Sequence, residues 1–531
     1  MKLIYNVQDK TKMSELIVFA IQQLLAIMAA TLVVPVIIGN GMSPAAALVG
    51  AGVGTLVYLL FTKRKSPVFL GSSFAFIGSM LAAFAGATSV ALGYMGLIIG
   101  AVMAGLVYVV IAGAVKLAGV NWLNKLMPMV VIGPTVAIIG LSLAGNAVGD
   151  LQMGEVKRYY NPSDYQIVQI QEDTMKQTAN GSYVFNVEDS NSDGNRYIVV
   201  DKDVKLNQPV SADKVHPEMQ VGQDATGKMV LYKDCGSVYV ALICGLVTLA
   251  VTMLAATFGK KMVRLIPFIL GILAGYVLAA LFTVIGHAAD IDALKIVDFT
   301  YFTQLVEGGI GLNTFFSIPD FTFLTAFGGF KDLSWSYIGT VAVAYIPVAF
   351  VVFAEHVADH KNISSIIEKD LLEDPGLSRT LLGDGVGSMA GALFGGCPNT
   401  TYGESVGCVA ITGNASVVTI FAAAIGAILI AFINPFVAFV NTIPPCVMGG
   451  VCMARYGFIA VSGLKMVQKV DLEQNKNLFV VSVILIAGIG GLTLTFGKVS
   501  ITSIAVALIL GVLTNLLLKK APNTTGEGAE E

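Results

Sequence analysis

The sequence predicts an all-α polytopic membrane protein in which fourteen transmembrane segments form an inverted repeat of seven plus seven. Of its 531 residues, 55% are hydrophobic and 13% are charged, whereas soluble domains carry roughly 25% charged residues. The apolar residues fall in blocks of about twenty, the length that crosses the hydrocarbon core of a bilayer. Two of these blocks are interrupted by glycine and proline at corresponding positions of the two halves.

The hydropathy pattern places the fourteen segments, of which the ninth and tenth are short and broken by glycine and proline. They are residues 16–38, 44–62, 67–86, 91–115, 127–148, 237–258, 264–286, 336–360, 380–395, 397–413, 415–437, 444–465, 477–496 and 500–518. Lys and Arg cluster in alternate short loops, such as "TKRKS" and "GKKMVR", and are scarce in the turns between them. This bias predicts a multi-pass protein of the cytoplasmic (inner) membrane with both termini in the cytoplasm. The N-terminal segment lacks the cleavage pattern of a signal peptide.

Two stretches outside the membrane depart from this pattern. Residues 149–236 are polar, and short alternating runs such as "RYIVVD" and "KMVLYK" predict a small β-rich insertion. Residues 288–335 are rich in aromatic side chains and are expected to lie against the membrane interface. Neither stretch carries a recognisable catalytic pattern, so both are interpreted as scaffold or lid.

The interrupted segments are the first candidates for a binding site, because broken helices free backbone groups that can pair with a substrate. The third segment begins "SPVFLGSSFAFIG" (Ser66–Gly78), and the tenth begins "GGCPNTTYGESVGCVAITG" (Gly395–Gly413). They enter the membrane from opposite sides, as an inverted repeat requires. A charged residue within a span costs about 2.5–3.5 kcal/mol on insertion scales, so Glu404 is expected to face a cavity.

The eighth segment ends in "AEHVADHKN", which places two carboxylates and two imidazoles in six residues. Glu355 and Asp359 are four apart and share one face of a helix. With Glu404 they can converge on one cavity, where carboxylates accept hydrogen bonds from a neutral substrate or carry a coupling proton. His356 and His360 have the spacing of metal ligands, but they are expected to be interfacial histidines.

Two further predictions concern an enzymatic function and the position of Arg455. A zincin-type metalloenzyme needs Glu directly after the first His, and Val357 stands there instead, so an enzyme is not predicted. Arg455 in the twelfth segment is expected in an interhelical ion pair or at the interface rather than in contact with a substrate.

These residues lie in motifs that resemble a known transporter family. The segments "AEHVADHKNISSIIEKDLLEDPGLSRTLLGDG" and "GGCPNTTYGESVGCVAITG" are similar to those of the nucleobase/ascorbate transporters, in their uracil permease branch. "GSSFAFI" in the third segment and "QQLLAIMAATLVVP" in the first also match. The family signature is represented here by Glu404, Ser405, Val406, Gly407 and Thr412.

The resemblance implies a core domain and a gate domain, with a short strand and a half-helix in each of spans 3 and 10. The core would comprise residues 1–125 (spans 1–4) and 336–440 (spans 8–11). The gate would comprise residues 126–148 (span 5), 237–335 (spans 6 and 7 with the outer loop) and 441–520 (spans 12–14). The insertion at 149–236 would lie outside the cell, and residues 521–531 would form a cytoplasmic tail.

The resemblance also implies uracil as the substrate and a proton as the coupling ion, in a lipid bilayer. It implies no cofactor, no metal and no nucleic acid, and it suggests a homodimer. Uracil has two N–H donors and two carbonyl acceptors, which two carboxylates and two backbone amides can satisfy. By position, the implied substrate-binding residues are Glu355 and Glu404 for the N–H groups, the amides of Phe74 and Gly403 for the carbonyls, Tyr402 beside the ring, and Ser73.

The sequence departs from the family pattern at three positions. The branch usually has His one turn after the first Glu, and Asp359 stands there, followed by His360; proton coupling is therefore assigned to Asp359, Glu355 and His360. The signature Asn is replaced by Ser405, and a His of the first span by Gln23. Purine carriers of the family typically have Gln at position 404, so a xanthine or uric acid transporter is the alternative. An anion transporter of the same architecture is less favoured, because the carboxylates would repel an anion.

Overall fold

The computed structural model describes residues 3–119, 128–160, 164–171, 176–177, 183–184, 195–205, 209–223, 229–307, 309–496 and 499–520. These residues form a mostly helical protein, as predicted. Among the described residues, eight helical stretches are long and apolar enough to cross a membrane, one of them being residues 129–152, and four shorter apolar stretches accompany them.

The helices of the first half are α1 (Met13–Ile38), α2 (Pro44–Phe61), α3 (Ile77–Ala85), α4 (Val90–Ala118), α5 (Met129–Ser142), α6 (Ala144–Gln152), α7 (Val238–Phe258), α8 (Met262–Leu265) and α9 (Pro267–Ala288). Those of the outer loop and second half are α10 (Thr300–Gln304), α11 (Leu312–Phe315), α12 (Thr322–Ala326), α13 (Trp335–Ile367), α14 (Leu377–Gly395), α15 (Gly403–Thr412), α16 (Val417–Ile430), α17 (Asn434–Asn441), α18 (Pro445–Val467), α19 (Asn475–Ile489) and α20 (Ser503–Leu517).

The strands are β1 (Leu70–Ser72), β2 (Val156–Tyr160), β3 (Tyr165–Gln171), β4 (Lys176–Gln177), β5 (Tyr183–Val184), β6 (Asn195–Asp201), β7 (Val215–His216), β8 (Met219–Gln223), β9 (Met229–Cys235), β10 (Asn399–Thr401), β11 (Leu494–Phe496) and β12 (Val499–Ile501). Each predicted apolar segment coincides with one or two helices, or with a strand followed or preceded by a helix. The fifth segment consists of two helices, α5 and α6, and α6 continues past Gly149 to Gln152. Residues 126 and 127, where this segment was predicted to begin, lie outside the described residues.

The local sequence explains where the long helices begin. Ser43, Ser89 and Ser334 precede α2, α4 and α13, and each side chain accepts a hydrogen bond from a backbone amide of the first turn. This cap satisfies an amide that has no partner within the helix. Helix α13 then runs for 33 residues through Pro347 and carries the "AEHVADH" stretch in its second half.

Helices α2 and α14 cross at close range, because glycines line their contact. A Cβ atom on Gly50 would lie 2.4 Å from the carbonyl oxygen of Gly391, and one on Gly54 would lie 2.4 Å from Nδ2 of Asn399. Asn399 donates a hydrogen bond to the carbonyl oxygen of Gly50 at 2.9 Å. Small residues at helix crossings are the usual means of close packing within membranes, and here they hold β10 against α2.

The helices pack mainly in two groups. In the first, α2 contacts α1, α14 and α16, and α4 contacts α13 and α14. In the second, α18 contacts α5, α6 and α7, while α9 packs on α7 and α19 packs on α5 and α20. Each group contains helices from both halves of the chain.

The polar stretch before α7 is rich in β-structure, as predicted. Strands β2, β9 and β8 form one antiparallel sheet, and β3, β6 and β7 form another. The run "RYIVVD" lies in β6, and residues 229–233 of "KMVLYK" lie in β9, while Lys228 is outside the described residues. Of the third predicted run, "SYVFNV", only Tyr183 and Val184 are described.

Asp292 attaches this β-structure to the loop that follows α9. Its carboxylate lies 2.8 Å from Nζ of Lys233 on β9 and 2.6 Å from Nζ of Lys295. Its carbonyl oxygen also accepts a hydrogen bond from the amide of Gly236 at 2.9 Å. Hydrogen bonds from the two lysines lower the pKa of Asp292 to about 2.

We expect Asp292→Asn to loosen this attachment and to accelerate proteolysis of the outer β-structure at neutral pH. Because the folded pKa is lowered, the stabilisation is complete above the ordinary pKa of Asp and is lost only as the pH falls through about 2. Asp290→Asn is the matched control, since Asp290 also contacts Lys295 but its side chain is 93% exposed. Equal proteolysis rates for the two variants would contradict this assignment.

Candidate functional site

The two interrupted segments meet at a pair of short strands. Strands β1 and β10 run antiparallel, with Leu70 opposite Thr401 and Ser72 opposite Asn399. Two further backbone bonds flank them, from the amide of Ser73 to the carbonyl oxygen of Pro398 and from the amide of Tyr402 to that of Phe69. Each strand leads directly into a half-helix, so the helices leave this crossing in opposite directions.

Neither half-helix has a side-chain cap at its start. Phe74 opens a single 3₁₀ turn before α3, Gly403 opens α15, and no side chain accepts a hydrogen bond from the first amides of either element. The first amides of a helix have no partner within the helix. Both residues line the cavity described next, so the free helix starts adjoin it.

A cavity of about 420 Å³ lies beside the strand pair. Seven predicted site residues line it, namely Ser73, Phe74, Glu355, Asp359, Tyr402, Gly403 and Glu404. The remaining lining residues are Ala75, Val136, Phe268, Ala358, Asn362, Thr400, Thr401, Arg455, Phe458, Ile459, Ser462 and Met466. The predicted convergence of α13 with both interrupted segments is therefore present in the fold.

The two carboxylates of α13 have different surroundings. Asp359 accepts a hydrogen bond from the hydroxyl of Thr401 at 2.9 Å, which links α13 to β10. Glu355 lies one helical turn earlier, is half-buried, and makes no hydrogen bond to another residue of the described ranges. Its carboxylate is thus available to accept hydrogen bonds from a molecule in the cavity.

Glu404 is already paired. Its carboxylate forms an ion pair with Nη1 of Arg455 on α18. The guanidinium of Arg455 also lies over the ring of Phe74, with Cζ 4.2 Å from the ring centroid. These two contacts join α18 to both interrupted segments. The contact with Glu404 confirms the expectation of an interhelical ion pair. Arg455 also lines the cavity, and its lack of contact with a substrate stays a prediction.

The strand pair also presents unsatisfied hydroxyl groups. Ser73 and Thr400 line the cavity, and their buried Oγ atoms have no hydrogen-bond partner among the described residues. Buried hydroxyls normally have a partner, so these two are exceptions among the residues that line the cavity. Thr400 was not singled out in the sequence, although it lies in the dense "PNTTYGES" run.

Tyr402 is held in place by the opposite strand. Its hydroxyl donates to the carbonyl oxygen of Ser72 at 2.7 Å, and its ring lies over Gly71. A Cβ atom at Gly71 would approach the ring to 2.4 Å, so glycine is required there for the ring to occupy this position. Gly71, which interrupts the third segment, therefore allows the ring of Tyr402 to form one side of the cavity.

His356 and His360 are not interfacial, so that expectation is wrong. Both are 0% exposed, their rings stack with centroids 4.0 Å apart, and neither lines the cavity. Residues of α2, α4 and α14 contact this part of α13, which extends to Ile367 rather than ending near residue 360. All four ring nitrogens are hydrogen-bonded within the protein. The role of His360 in proton coupling stays a prediction.

Two of the positions that depart from the family pattern contact each other. Nε2 of Gln23 on α1 donates to the hydroxyl oxygen of Ser405, which also accepts a hydrogen bond from the amide of Phe69 at 3.0 Å. Both side chains are buried behind the cavity rather than lining it. They therefore position the strand pair and do not touch a molecule in the cavity.

A second and larger cavity, of about 710 Å³, lies under the outer loop. It is lined by Asn313 and Thr314 of α11, by Asn434 and Asn441 of α17, and by neighbouring residues. None of the predicted site residues lines it, and Asn434 is already bonded to Ser317 and to the carbonyl oxygen of Asn313. The smaller cavity is therefore the candidate functional site.

Known proteins resemble almost the whole chain. Residues 14–170 and 221–497 match the permease family Xan_ur_permease. The chain is 32% identical to the uracil permease of Bacillus subtilis (strain 168), covering 97% of this chain and 94% of that protein. It is 33% identical to the uracil permease of Bacillus caldolyticus, covering 100% and 98%. With the uracil permease of Escherichia coli (strain K12) the identity is 30%, over 97% and 94%.

Solved structures show the same fold at much lower identity. The transmembrane domain of a cyanobacterium bicarbonate transporter, BicA, matches with a TM-score of 0.54 and 13% identity, covering 97% of this chain and 100% of that one. The murine anion transporter Slc26a9 in its inward-facing state matches with a TM-score of 0.56 and 10% identity, covering 96% and 69%.

Proposed function

The chain belongs to the nucleobase/ascorbate transporter family, in its uracil permease branch, and on that premise we propose that it imports uracil across the cytoplasmic membrane by proton symport. The observation that carries this proposal is the cavity at the strand crossing, which brings Glu355 and Glu404 together with the uncapped starts at Phe74 and Gly403. Uracil needs acceptors for two N–H groups and donors for two carbonyls. The cavity contains both kinds of group.

Substrate binding would use these groups in a defined way. Glu355 accepts one ring N–H, and Glu404 accepts the other while it remains paired with Arg455 or exchanges Arg455 for the substrate. The amides of Phe74 and Gly403 donate to the carbonyl oxygens. Tyr402 supplies an apolar wall, since an aromatic ring packs well against a planar base.

The coupling proton would reside on the carboxylates of α13. Asp359 is the proposed carrier, because it lines the cavity and its partner Thr401 belongs to β10. Glu355 shares the face of α13 and couples to Asp359 electrostatically. Protonation of Asp359 would change its hydrogen bond with Thr401 on β10. This change would link the proton to the substrate site.

The proposed architecture has fourteen spans in an inverted repeat, with both termini in the cytoplasm. The antiparallel meeting of β1 and β10 supports the repeat. The two packing groups support a core of spans 1–4 and 8–11 and a gate of spans 5–7 and 12–14. Arg455 and Phe268 would then belong to the gate and Glu404 and Phe74 to the core, so that the cavity lies between the two. A homodimer in the bilayer is also proposed.

Purines and anions are the competing substrates. Three carboxylates and one guanidinium surround the cavity, which disfavours an anion in spite of the bicarbonate and anion carriers that share the fold. The carboxylate at position 404 also favours uracil over xanthine or uric acid.

Radiolabelled uracil uptake into proteoliposomes, competed with unlabelled uracil, xanthine, uric acid and bicarbonate, tests the substrate proposal. We expect saturable uptake that unlabelled uracil alone abolishes. Strong competition by xanthine or uric acid, or no uracil uptake by protein that binds a purine, would replace uracil with the purine class.

A further inference from the structure

A pair of ionisable side chains lies outside the cavity and has no role in the proposed binding of uracil. His356 on α13 and Asp384 on α14 are both 0% exposed. Nδ1 of His356 lies 2.6 Å from Oδ2 of Asp384, and Nε2 lies 3.0 Å from Oγ1 of Thr380. Neither His356 nor Asp384 lines the cavity, although Glu355 is the direct chain neighbour of His356.

The hydrogen bonds around His356 indicate how many protons the pair of His356 and Asp384 carries. The hydroxyl of Thr380 donates its single hydrogen to the carbonyl oxygen of Leu377 at 3.1 Å, so toward His356 it accepts, and Nε2 carries a proton. A contact of 2.6 Å between Nδ1 and Oδ2 then requires a second proton between those atoms. Either Asp384 is a neutral acid or His356 is an imidazolium, and in both cases the pair is neutral overall.

The other arrangement is disfavoured by burial. If Thr380 donated to Nε2 instead, a neutral His356 would face an ionised Asp384, and the pair would carry one negative charge. Oδ1 of Asp384 has no hydrogen-bond partner among the described residues. An ionised carboxylate without exposure and with one oxygen unpartnered is strongly unfavourable, whereas the carbonyl oxygen of a neutral acid tolerates this position better.

We propose that His356 and Asp384 form an internal proton-binding site, occupied in the present conformation, that releases and regains its proton during transport. The inference rests on the proposed proton symport and adds a site to it. On release, one proton leaves the pair for water on the inner side and the pair becomes singly negative; on loading, one proton returns and the pair is neutral again.

Ionisable groups on three helices face this pair. They are Tyr58 of α2, Tyr108 of α4, and Glu355, Asp359 and His360 of α13. His360 stacks on His356 and its Nε2 lies 2.6 Å from the hydroxyl of Tyr58, so a charge on one imidazole opposes a charge on the other. Ionised Glu355 and Asp359 favour the protonated pair. Occupancy of the site therefore depends on the charge at the uracil cavity.

Asp384→Asn tests the proposal, because asparagine presents an N–H to Nδ1 and so imitates the protonated acid permanently. We expect exchange of labelled for unlabelled uracil to be retained and accumulation driven by a proton gradient to be lost. A purely structural pair predicts wild-type behaviour in both assays, since asparagine preserves the contacts. Wild-type accumulation by Asp384→Asn would overturn the proposal. Asp374→Asn, at an exposed acid that pairs with Lys65, is the matched control and should accumulate uracil normally.

A second variant covers the case in which Asp384→Asn does not fold. Thr380→Val keeps the shape of the side chain but removes the acceptor for Nε2–H, so the pair should bind its proton less tightly. We expect the pH profile of uracil uptake to shift to lower pH, and an unchanged profile would overturn the proposal. If wild-type protein exchanges uracil but ignores the proton gradient, the proposed symport itself has failed, which these two variants do not decide.

Discussion

Replacing Glu355 with glutamine is expected to reduce uracil uptake by about ten- to hundredfold while the protein still reaches the membrane. Glu355 lines the cavity and makes no hydrogen bond within the described ranges, so its carboxylate is available to the substrate. A hydrogen bond to a charged group contributes about 1.5–3 kcal/mol, and each 1.4 kcal/mol corresponds to about tenfold in affinity. Glutamine keeps the size of the side chain but loses the charge and one acceptor.

The measurement is initial uptake of labelled uracil at several concentrations, normalised to the amount of folded protein in the proteoliposomes. Glu473→Gln makes the same chemical change at an exposed position outside the cavity and should transport like the wild type. Uptake by Glu355→Gln equal to that of Glu473→Gln would remove Glu355 from the site.

The second large effect concerns Glu404 and Arg455. Glu404→Gln should abolish uptake and also destabilise the protein, because it leaves the guanidinium of Arg455 unpaired in a site where that residue is 8% exposed. Removing one partner of a buried ion pair costs about 3–5 kcal/mol, whereas replacing both partners by apolar groups is often neutral. The side chain of Glu404 is 27% exposed, so the loss should lie at or below the lower end of that range.

The double variant Glu404→Gln/Arg455→Met separates the two roles of Glu404. We expect its thermal stability in detergent to recover most of the loss seen in Glu404→Gln, while uracil uptake stays abolished because the charged acceptor is still missing. Arg455→Met alone completes the double-mutant cycle. This variant should bind uracil but exchange it at an altered rate. Recovery of uptake in the double variant would show that Glu404 serves only to neutralise Arg455.

The sequence alone was sufficient to predict the positions of the apolar segments, the β-rich insertion and many of the residues that line the cavity. Block length located the segments, and the breaks at Gly71 and "PNTTYGES" located the strand crossing because helices in a membrane are interrupted chiefly where a site needs backbone groups. Glu355, Asp359 and Glu404 were found because charges within spans are costly and therefore seldom without a role.

Other features depend on which helices become neighbours, and no local pattern reports that. Arg455 had the signature of an ion pair, but only the fold shows that its partner is Glu404 and that Phe74 lies beneath it. The histidines were misplaced because "HKNISSIIEKD" reads as a polar helix end, whereas α13 continues to Ile367 and other helices cover it. No local pattern marks Asp384 in the glycine-rich ninth segment, and only the fold pairs it with His356.

The most direct test of the proposed coupling of uracil to protons is the accumulation of labelled uracil in proteoliposomes under an imposed gradient. An inward proton gradient should drive uracil above its external concentration, and a protonophore should abolish that accumulation. A sodium gradient of equal size, applied without a pH difference, should have no effect. Uracil that merely equilibrates under the proton gradient, or accumulates only with sodium, would contradict the proposed proton symport.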